Sequence, residues 1–393
     1  MKTVLDGIRV LDVSQFFSGP WCGMLLAEMG AEVIKIEPAV IGDYIRVGTL
    51  FEKGLAPLFA VFNKNKKSIT LNIKKSEKAR EIFKQLVAKS DVVIENALPG
   101  DMEALNLGYE DLKKINPQII YAAISGFGRS GLEKFVKQPA FDIVAQATSG
   151  ILDVLEMYEA PKIPFADINA GTYCALGILQ ALFYRERTGK GQFVDISMQE
   201  IMYAYNILAH ISHTLRDKIE QSFSRILPLY NVFKTKDGHV AIVVITEKQW
   251  HRICDVMENP SLKRDRRYNS PLKRWQRSEE VDEILSKWTQ TKTTQEIVDL
   301  MNANRIPCGP VMPFDKVQEH PQLIARGMVR DVELPDVGKS VKLPGIIIKL
   351  SESPGIITNP QGPTLGQNTE EILSNVLNYS KEEITQLKKS GVI

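Results

Sequence analysis

The first half of the chain predicts an α/β fold built on a mostly parallel sheet, and part of the second half predicts a smaller α+β domain. Over the first ~200 residues, short β-branched runs alternate with helical stretches, the pattern of successive βαβ units. From about Arg225 the texture changes, and a hairpin pattern appears with Asp237-Gly238 at its turn. The chain has 393 residues, 44% of them apolar, enough for two or three domains with sizeable cores.

The elements follow in order. "IRVLDVS" (8–14) is a first strand, "SGPWCGMLLAEMG" (18–30) a loop and helix closed by Gly30, and "AEVIKIE" (31–37) the next strand. "KSITLNI" (67–73) is a third strand. The helix Glu77–Lys89 follows it, with Ile82, Leu86 and Val87 on one face. "DVVIEN" (91–96), "IIYAAISGFG" (119–128) and "GQFVDISM" (191–198) continue the strand pattern. The smaller domain opens with the hairpin "YNVFKTKDGHVAIVVIT" (230–246) and continues with helices around Glu247–Met257 and Glu279–Trp288. After Pro321 the chain reads as loop-rich and ends in a helix over 369–378 and a short tail helix.

Several function classes are disfavoured. A net charge of +2 exerts no global pull toward nucleic acid or a membrane surface. The longest uncharged run, 168–184, falls short of the ~20 residues that span a bilayer and reads as a buried helix. The N-terminus runs straight into a strand pattern with no signal-peptide core. Cys22, Cys174, Cys254 and Cys308 lie far apart and imply neither a disulfide framework nor a zinc site, so the chain reads as cytoplasmic. The five histidines lack metal-ligand spacing, and no metal site is expected. After the first strand the sequence is Ser18-Gly19-Pro20 rather than GxGxxG, and no GxSxG elbow is visible.

Two acids stand among apolar residues: Asp142 in "QPAFDIVAQATSG" and Asp167 in "PFADINAG". Asp167 sits where a helix N-cap belongs, before a run rich in Ala, Leu and Ile. A carboxylate there is favoured in its charged form by the free N–H groups, which makes it a poor general acid but a competent oxygen nucleophile. Cap and chemical centre are both compatible with these residues. The basic cluster Lys64, Lys66, Lys67, Lys74 and Lys75 reads either as a solvated edge or as a local phosphate site.

Taken together, "LLAEMGAEVIKIEP", "GDYIR", "LNIKK", "DVVIENALPG", "LGYEDLKKINPQIIYAAISGFGRSG", "PAFDIVAQATSG", "FADINAG", "RTGKGQFVDISMQE", "TKDGHVAI", "IPCGPVMPFDKV", "ARGMV" and "LGQNTEEIL" resemble the class III coenzyme A transferases. That family includes formyl-CoA and carnitine CoA transferases and 2-methylacyl-CoA racemase. The resemblance implies a Rossmann-like large domain over 1–200 and 345–393, linkers over 201–227 and 315–344, and a small domain over 228–314. It also implies an interlocked homodimer. Coenzyme A, as acyl-CoA, would be the co-substrate and a carboxylic acid the acceptor. The position matching the family's nucleophile is Asp167, which would form an acyl anhydride and then an aspartyl-CoA thioester. Asp142 matches a supporting acid. The CoA contacts carry over to Phe16, Phe17, Ser18, Leu71, Lys74, Asn96 and Ala97, with Lys137 a further basic candidate.

The chain also departs from the family. Where members often carry basic residues after the "KIE" strand and near the "PG" loop, this chain has Pro38 and "ALPGDMEAL", which implies either that the Lys64–Lys75 cluster holds the CoA phosphates or that CoA is bound more weakly. No glycine-rich lid appears around "RILPLYNVF", so oxalate and formate are not the expected substrates. Racemases carry a histidine just before the position of Asp142. Here it is Phe141, which cannot shuttle a proton. Transferase is therefore expected over the alternatives: a 2-methylacyl-CoA racemase or isomerase, a hydrolase, and an acyl-CoA-binding protein without turnover.

Overall fold

The computed structural model describes residues 3–47, 57–215, 227, 229–334 and 338–393. Part of the expected first linker (216–226), part of the second (335–337), and Arg225, Ile226 and Pro228 of the "RILPLYNVF" segment lie outside the described residues. The chain divides into two compact units, Met1–Asn206 with Pro321–Ile393, and Ile207–His320.

The first unit is organised on six parallel strands: β1 (Arg9–Asp12), β2 (Glu32–Glu37), β3 (Lys67–Thr70), β4 (Val92–Glu95), β5 (Ile120–Ser125) and β6 (Phe193–Ser197). Their order is β3-β2-β1-β4-β5-β6. Each strand was foreseen, because a parallel sheet covered on both faces demands near-continuous apolar runs. Successive residues feed opposite cores. Val10, Val33, Val92 and Ile94 face the helices Ser18–Glu28 and Phe165–Thr188. Leu11, Ile34, Ile69 and Val93 face the helix Glu77–Val87 and the C-terminal helices Thr369–Asn375 and Lys381–Lys389. The strand order reverses between β1 and β4, so the loops leaving their carboxyl ends open a crevice of the kind that binds ligands in such sheets.

The second unit carries an antiparallel sheet of β7 (Leu229–Lys234), β8 (His239–Val244) and β9 (Cys308–Pro310), with the expected turn at Asp237-Gly238. Its core gathers Trp250, Ile253, Val281, Leu285 and Ile297 from the helices that follow. One expectation fails in the C-terminal segment of the first unit. The stretch read as loop-rich contains a hairpin, β10 (Val329–Leu334) with β11 (Lys339–Pro344). Prolines and glycines mask it in the sequence, and Val332 and Leu334 anchor it against Ala60.

Beneath the crevice lies a buried chain of charges. Lys66 Nζ is 2.7 Å from Asp12 Oδ2 and donates to the carbonyl of Pro20 and to Asn63. Lys35 Nζ is 2.8 Å from Asp43 and 3.9 Å from Asp12, and donates to the carbonyl of Ser14. The four charged side chains are essentially unexposed. Several of their secondary contacts fall on the loop after β1: Asp12 accepts from the N–H of Ser14, and Asp43 from the N–H of Phe16. Glu37 braces the far side, pairing with Arg46 at 2.6 Å and accepting from the N–H of Asp43. This removes Lys64, Lys66 and Lys67 from the phosphate-site reading of the basic cluster. Lys66 is buried, Lys64 pairs with Glu28 at 2.7 Å, and Lys67 pairs with Glu32 and Glu371. Within this cluster only Lys74 and Lys75 are exposed, and no ion pair engages them among the described residues.

Removing one member of a buried ion pair strands the other charge, which costs about 3–5 kcal/mol. Asp12→Ala leaves two ammonium groups without their shared carboxylate, and urea unfolding should show a loss of that size. A loss below about 1 kcal/mol would contradict the role given to this network.

Candidate functional site

The loops after β1 and β4 meet through a single side chain. Asn96 Oδ1 accepts from the N–H of Gln15 at 2.9 Å, while its Nδ2 donates to the carbonyl of Gln15 at 2.7 Å and to Ser18 Oγ at 3.3 Å. Between them, Phe16 adopts a left-handed backbone (φ 63°), uncommon for a bulky residue, and Asp43 holds its N–H at 3.1 Å. Its ring stacks on Tyr44 and meets Phe141 edge-on, each with centroids 5.4 Å apart. Phe17 stacks on Phe62 at 4.9 Å. Ser18 then opens the first helix.

The long helix Phe165–Thr188 packs against the first helix at close range. A Cβ on Gly171 would lie 2.3 Å from the carbonyl oxygen of Ser18, so only glycine admits this approach. Trp21 Nε1 donates to Thr172 Oγ1 at 3.0 Å in the same contact. Asp167 is thereby brought to the rim of the crevice, 8% exposed and with no cation paired to it among the described residues.

Two expectations about Asp167 are corrected. It is not the N-cap. The helix begins at Phe165, Pro164 takes the cap position, and Asp167 is the third helical residue. An acid at that place commonly reaches back to the N–H of the cap residue, but a proline has none to offer. The cap comes instead from Asp142, whose Oδ1 accepts from the N–H of Ala166 at 2.7 Å and of Asp167 at 3.0 Å. Gln146, one turn along the helix Asp142–Thr148, donates to the other Asp142 oxygen at 2.5 Å. Nor is Asp167 held firmly ionised. Burial and the nearby Asp142 charge push its carboxyl up to about 7, against a hydrogen bond from Ser18 that favours the anion. Desolvation outweighs the helix terminus, whose influence on a charge is about 0.3–1 kcal/mol at exposed sites.

Phe16, Phe17, Ser18, Asn96, Asp142 and Asp167 thus come together at one mouth, and Ala97 adjoins it with its N–H bonded to Glu95 at 2.7 Å. The other foreseen residues lie apart. Leu71 is 1% exposed, with its side chain in the core and its N–H donated to Glu37. Lys74 is exposed beyond β3. Lys137 is exposed at the end of the short helix Glu133–Val136 and pairs with Glu133 at 2.5 Å.

Two site residues escaped the sequence reading. Gln146 could have been found as the polar residue four places after Asp142 on a predicted helix. Arg129 is the sole charge between Ile119 and Leu132, and that isolation was its signal. It pairs with buried Glu95 and with Glu103 at 3.0 Å, bracing the loop after β4. Among the described residues no group of three or more His, Cys, Asp or Glu side chains could hold a metal, and no helix is long and apolar enough to cross a membrane.

A mouth of this kind holds a buried, cation-free carboxyl able to act as a nucleophile or a proton carrier. Comparison with known proteins narrows the chemistry. Residues 5–369 match the family model CoA-transferase family III. A succinyl-CoA–L-malate CoA-transferase beta subunit of Chloroflexus aurantiacus is 33% identical, covering 99% of this chain and 98% of its own. A formyl-CoA:oxalate CoA-transferase of Afipia carboxidovorans is also 33% identical, over 100% and 98%, and a human succinyl-CoA:glutarate CoA-transferase is 32% identical, over 99% and 90%. A CaiB/BaiF family protein from Brucella suis superposes with a TM-score of 0.80 at 28% identity, over 96% of this chain and 100% of that one. The chain belongs to CoA-transferase family III.

Proposed function

We propose that the protein moves coenzyme A from an acyl-CoA thioester to a carboxylic acid, with Asp167 as the covalent nucleophile. The observation that carries this reading is a buried carboxyl without a paired cation, on the rim of the sheet's switch-point crevice. An ion-paired carboxylate would be a weaker nucleophile; this one is restrained only by its proton and by Ser18. In its ionised form an Asp167 oxygen attacks the thioester carbonyl. The C–S bond breaks, leaving an acyl-aspartyl anhydride and CoA thiolate. The thiolate attacks the aspartyl carbonyl, giving an aspartyl-CoA thioester and releasing the first acid. The acceptor carboxylate attacks that thioester, and the returning thiolate takes up the new acyl group and frees Asp167. Asp142 serves by capping the long helix, which fixes the main chain at Asp167. We assign CoA to a Rossmann-like large domain, with Phe16, Phe17, Ser18, Asn96 and Ala97 along its path. Lys74 and Lys75 are the cations available to its phosphates, because Lys64, Lys66 and Lys67 are engaged. Phe141 in place of a base disfavours the racemase alternative.

We further propose that a second copy of the chain covers the outer stripe of the long helix. Tyr173, Leu176, Phe183 and Tyr184 lie exposed along it at helical spacing, a contiguous apolar stripe of the kind that marks interaction surfaces. This accords with the interlocked dimer implied by the resemblance. The four cysteines are all free thiols, which accords with a cytoplasmic setting.

Incubation with acyl-CoA followed by hydroxylamine should convert Asp167 to a hydroxamate detectable by peptide mass spectrometry. Asp167→Asn should abolish the adduct and lower kcat on the order of 10⁴-fold or more. Rapid α-deuterium uptake from heavy water without any adduct would instead establish proton exchange. Because the folded carboxyl titrates near 7 and its ordinary value is 3.8, the folded state holds an extra proton between those values. Its stability contribution is therefore lost as pH rises from about 4 to 7, and Asp167→Asn should melt higher than the parent at pH 8, with the gap closing toward pH 4. Light scattering should give twice the chain mass, and Leu176→Glu with Phe183→Glu should shift it toward monomer. A monomeric parent would refute the covered face.

A further inference from the structure

Three aromatic rings, Phe16, Tyr44 and Phe141, form one contiguous surface beside the start of the long helix. We propose that this surface seats the acyl group and selects an aryl-substituted carboxylic acid, or its CoA thioester, over a dicarboxylic one. This rests on the transferase reading of Asp167.

One buried carboxylate oxygen places two of the rings. Asp43 Oδ1 accepts from the N–H of Phe16 at 3.1 Å and from the N–H of Ile45 at 3.1 Å. The first bond holds the left-handed backbone of Phe16, and the second caps the short turn Tyr44–Arg46. The two rings then lie nearly parallel, 9° between their planes, and Phe141 closes on Phe16 at 80°. Asp43 is wholly buried, yet Tyr44 is 55% exposed and Phe141 62%. A strained residue and a buried charge that served packing alone would bury the rings they place. Here they hold aromatic surface open to a ligand.

The rings flank Asp167 from two sides. Phe141 immediately precedes Asp142, whose carboxylate caps the helix at Ala166 and Asp167. Phe16 lies two residues before Ser18, whose carbonyl meets the long helix at Gly171, one turn beyond Asp167. Charge then separates the classes of acid. The cations of the neighbouring elements are engaged: Lys35 with Asp43, Lys66 with Asp12, and Arg46 with Glu37, each with its side chain no more than 8% exposed. Lys137, four residues before Phe141, pairs with Glu133. The charges adjoining the rings in the chain are those of Asp43 and Asp142, both acids. A second carboxylate on the acyl group would lose water there and meet like charge. An aryl group would instead find ring faces and edges suited to offset-stacked and edge-on contact.

The test is exchange of each acyl-CoA with its own acid, which isolates the acyl group from the choice of a second substrate. 3-Phenylpropanoyl-CoA is incubated with ¹³C-labelled 3-phenylpropanoate, and succinyl-CoA with ¹³C-labelled succinate. Label entering the thioester is read by mass spectrometry. The parent should exchange the aryl acid with a kcat/KM at least about tenfold above that for succinate. Phe141→Ala and Tyr44→Ala should each lower that ratio by roughly fivefold. Phe141→Arg, which sets a cation at the mouth, should move the ratio further toward succinate. A parent that forms the Asp167 adduct yet exchanges succinate faster, or fails to exchange the aryl acid, would overturn the proposal. So would folded Phe141→Ala and Tyr44→Ala enzymes with an unmoved ratio. Equal rises in KM for both thioesters would also overturn it, by assigning the rings to the CoA moiety that the two share. Exchange of neither acid together with no adduct at Asp167 would refute the transferase reading itself, an outcome separate from the others.

Discussion

The arrangement of the site depends on one interaction, the capping of the long helix by a carboxylate from another helix. Asp142 uses one oxygen on two N–H groups of the Phe165–Thr188 helix and the other on Gln146. Because Pro164 can neither cap with a side chain nor offer an N–H, this external cap is what satisfies the helix start. It brings a negative charge close to Asp167, and so the same contact that orders the helix also makes Asp167 harder to ionise. Stability of the element and ionisation of Asp167 pull in opposite directions, with Ser18 tilting the balance back toward the anion.

A second layer supports the first. The loop carrying Phe16 and Ser18 has an unusual backbone and would not hold its shape alone. It is tied from below by Lys35 and Asp43, from the β4 side by Asn96, and from the long helix by the contact at Gly171. Of the ammonium groups that the sequence offers near β3, Lys66 is consumed in this support, while Lys64 and Lys67 are engaged by other carboxylates. Burial lowers Lys66 to about 8 even though Asp12 opposes the fall, as expected for a cation engaged in structure and remote from solvent. A site for a polyanionic ligand can therefore sit above buried lysines that never touch it.

The fold was largely legible because its determinants are local. Strands buried on both faces leave apolar runs, the Asp237-Gly238 turn leaves its dipeptide, and both needed only neighbouring residues to be read. Asp167 was legible as an isolated acid ahead of a long uncharged run. Its ionisation was not, because burial and the approach of Asp142 come from tertiary packing between residues 25 apart. The same limit hid the partners of Lys64, Lys66 and Lys67, among them Glu28, Asp12 and Glu32, which belong to other strands and helices. The β10–β11 hairpin was missed for the converse reason: its local signals favour turns, and the packing of Val332 and Leu334 overrides them.

The central claim, that coenzyme A passes through a covalent bond at Asp167, is tested most directly by isotope transfer. An acceptor acid labelled with ¹⁸O in its carboxylate would attack the aspartyl-CoA thioester through a labelled oxygen. When the thiolate then takes the acyl group, that oxygen stays behind on the protein. After a single turnover, the peptide containing Asp167 should carry one ¹⁸O at that residue. New acyl-CoA formed while Asp167 remains unlabelled would contradict the account.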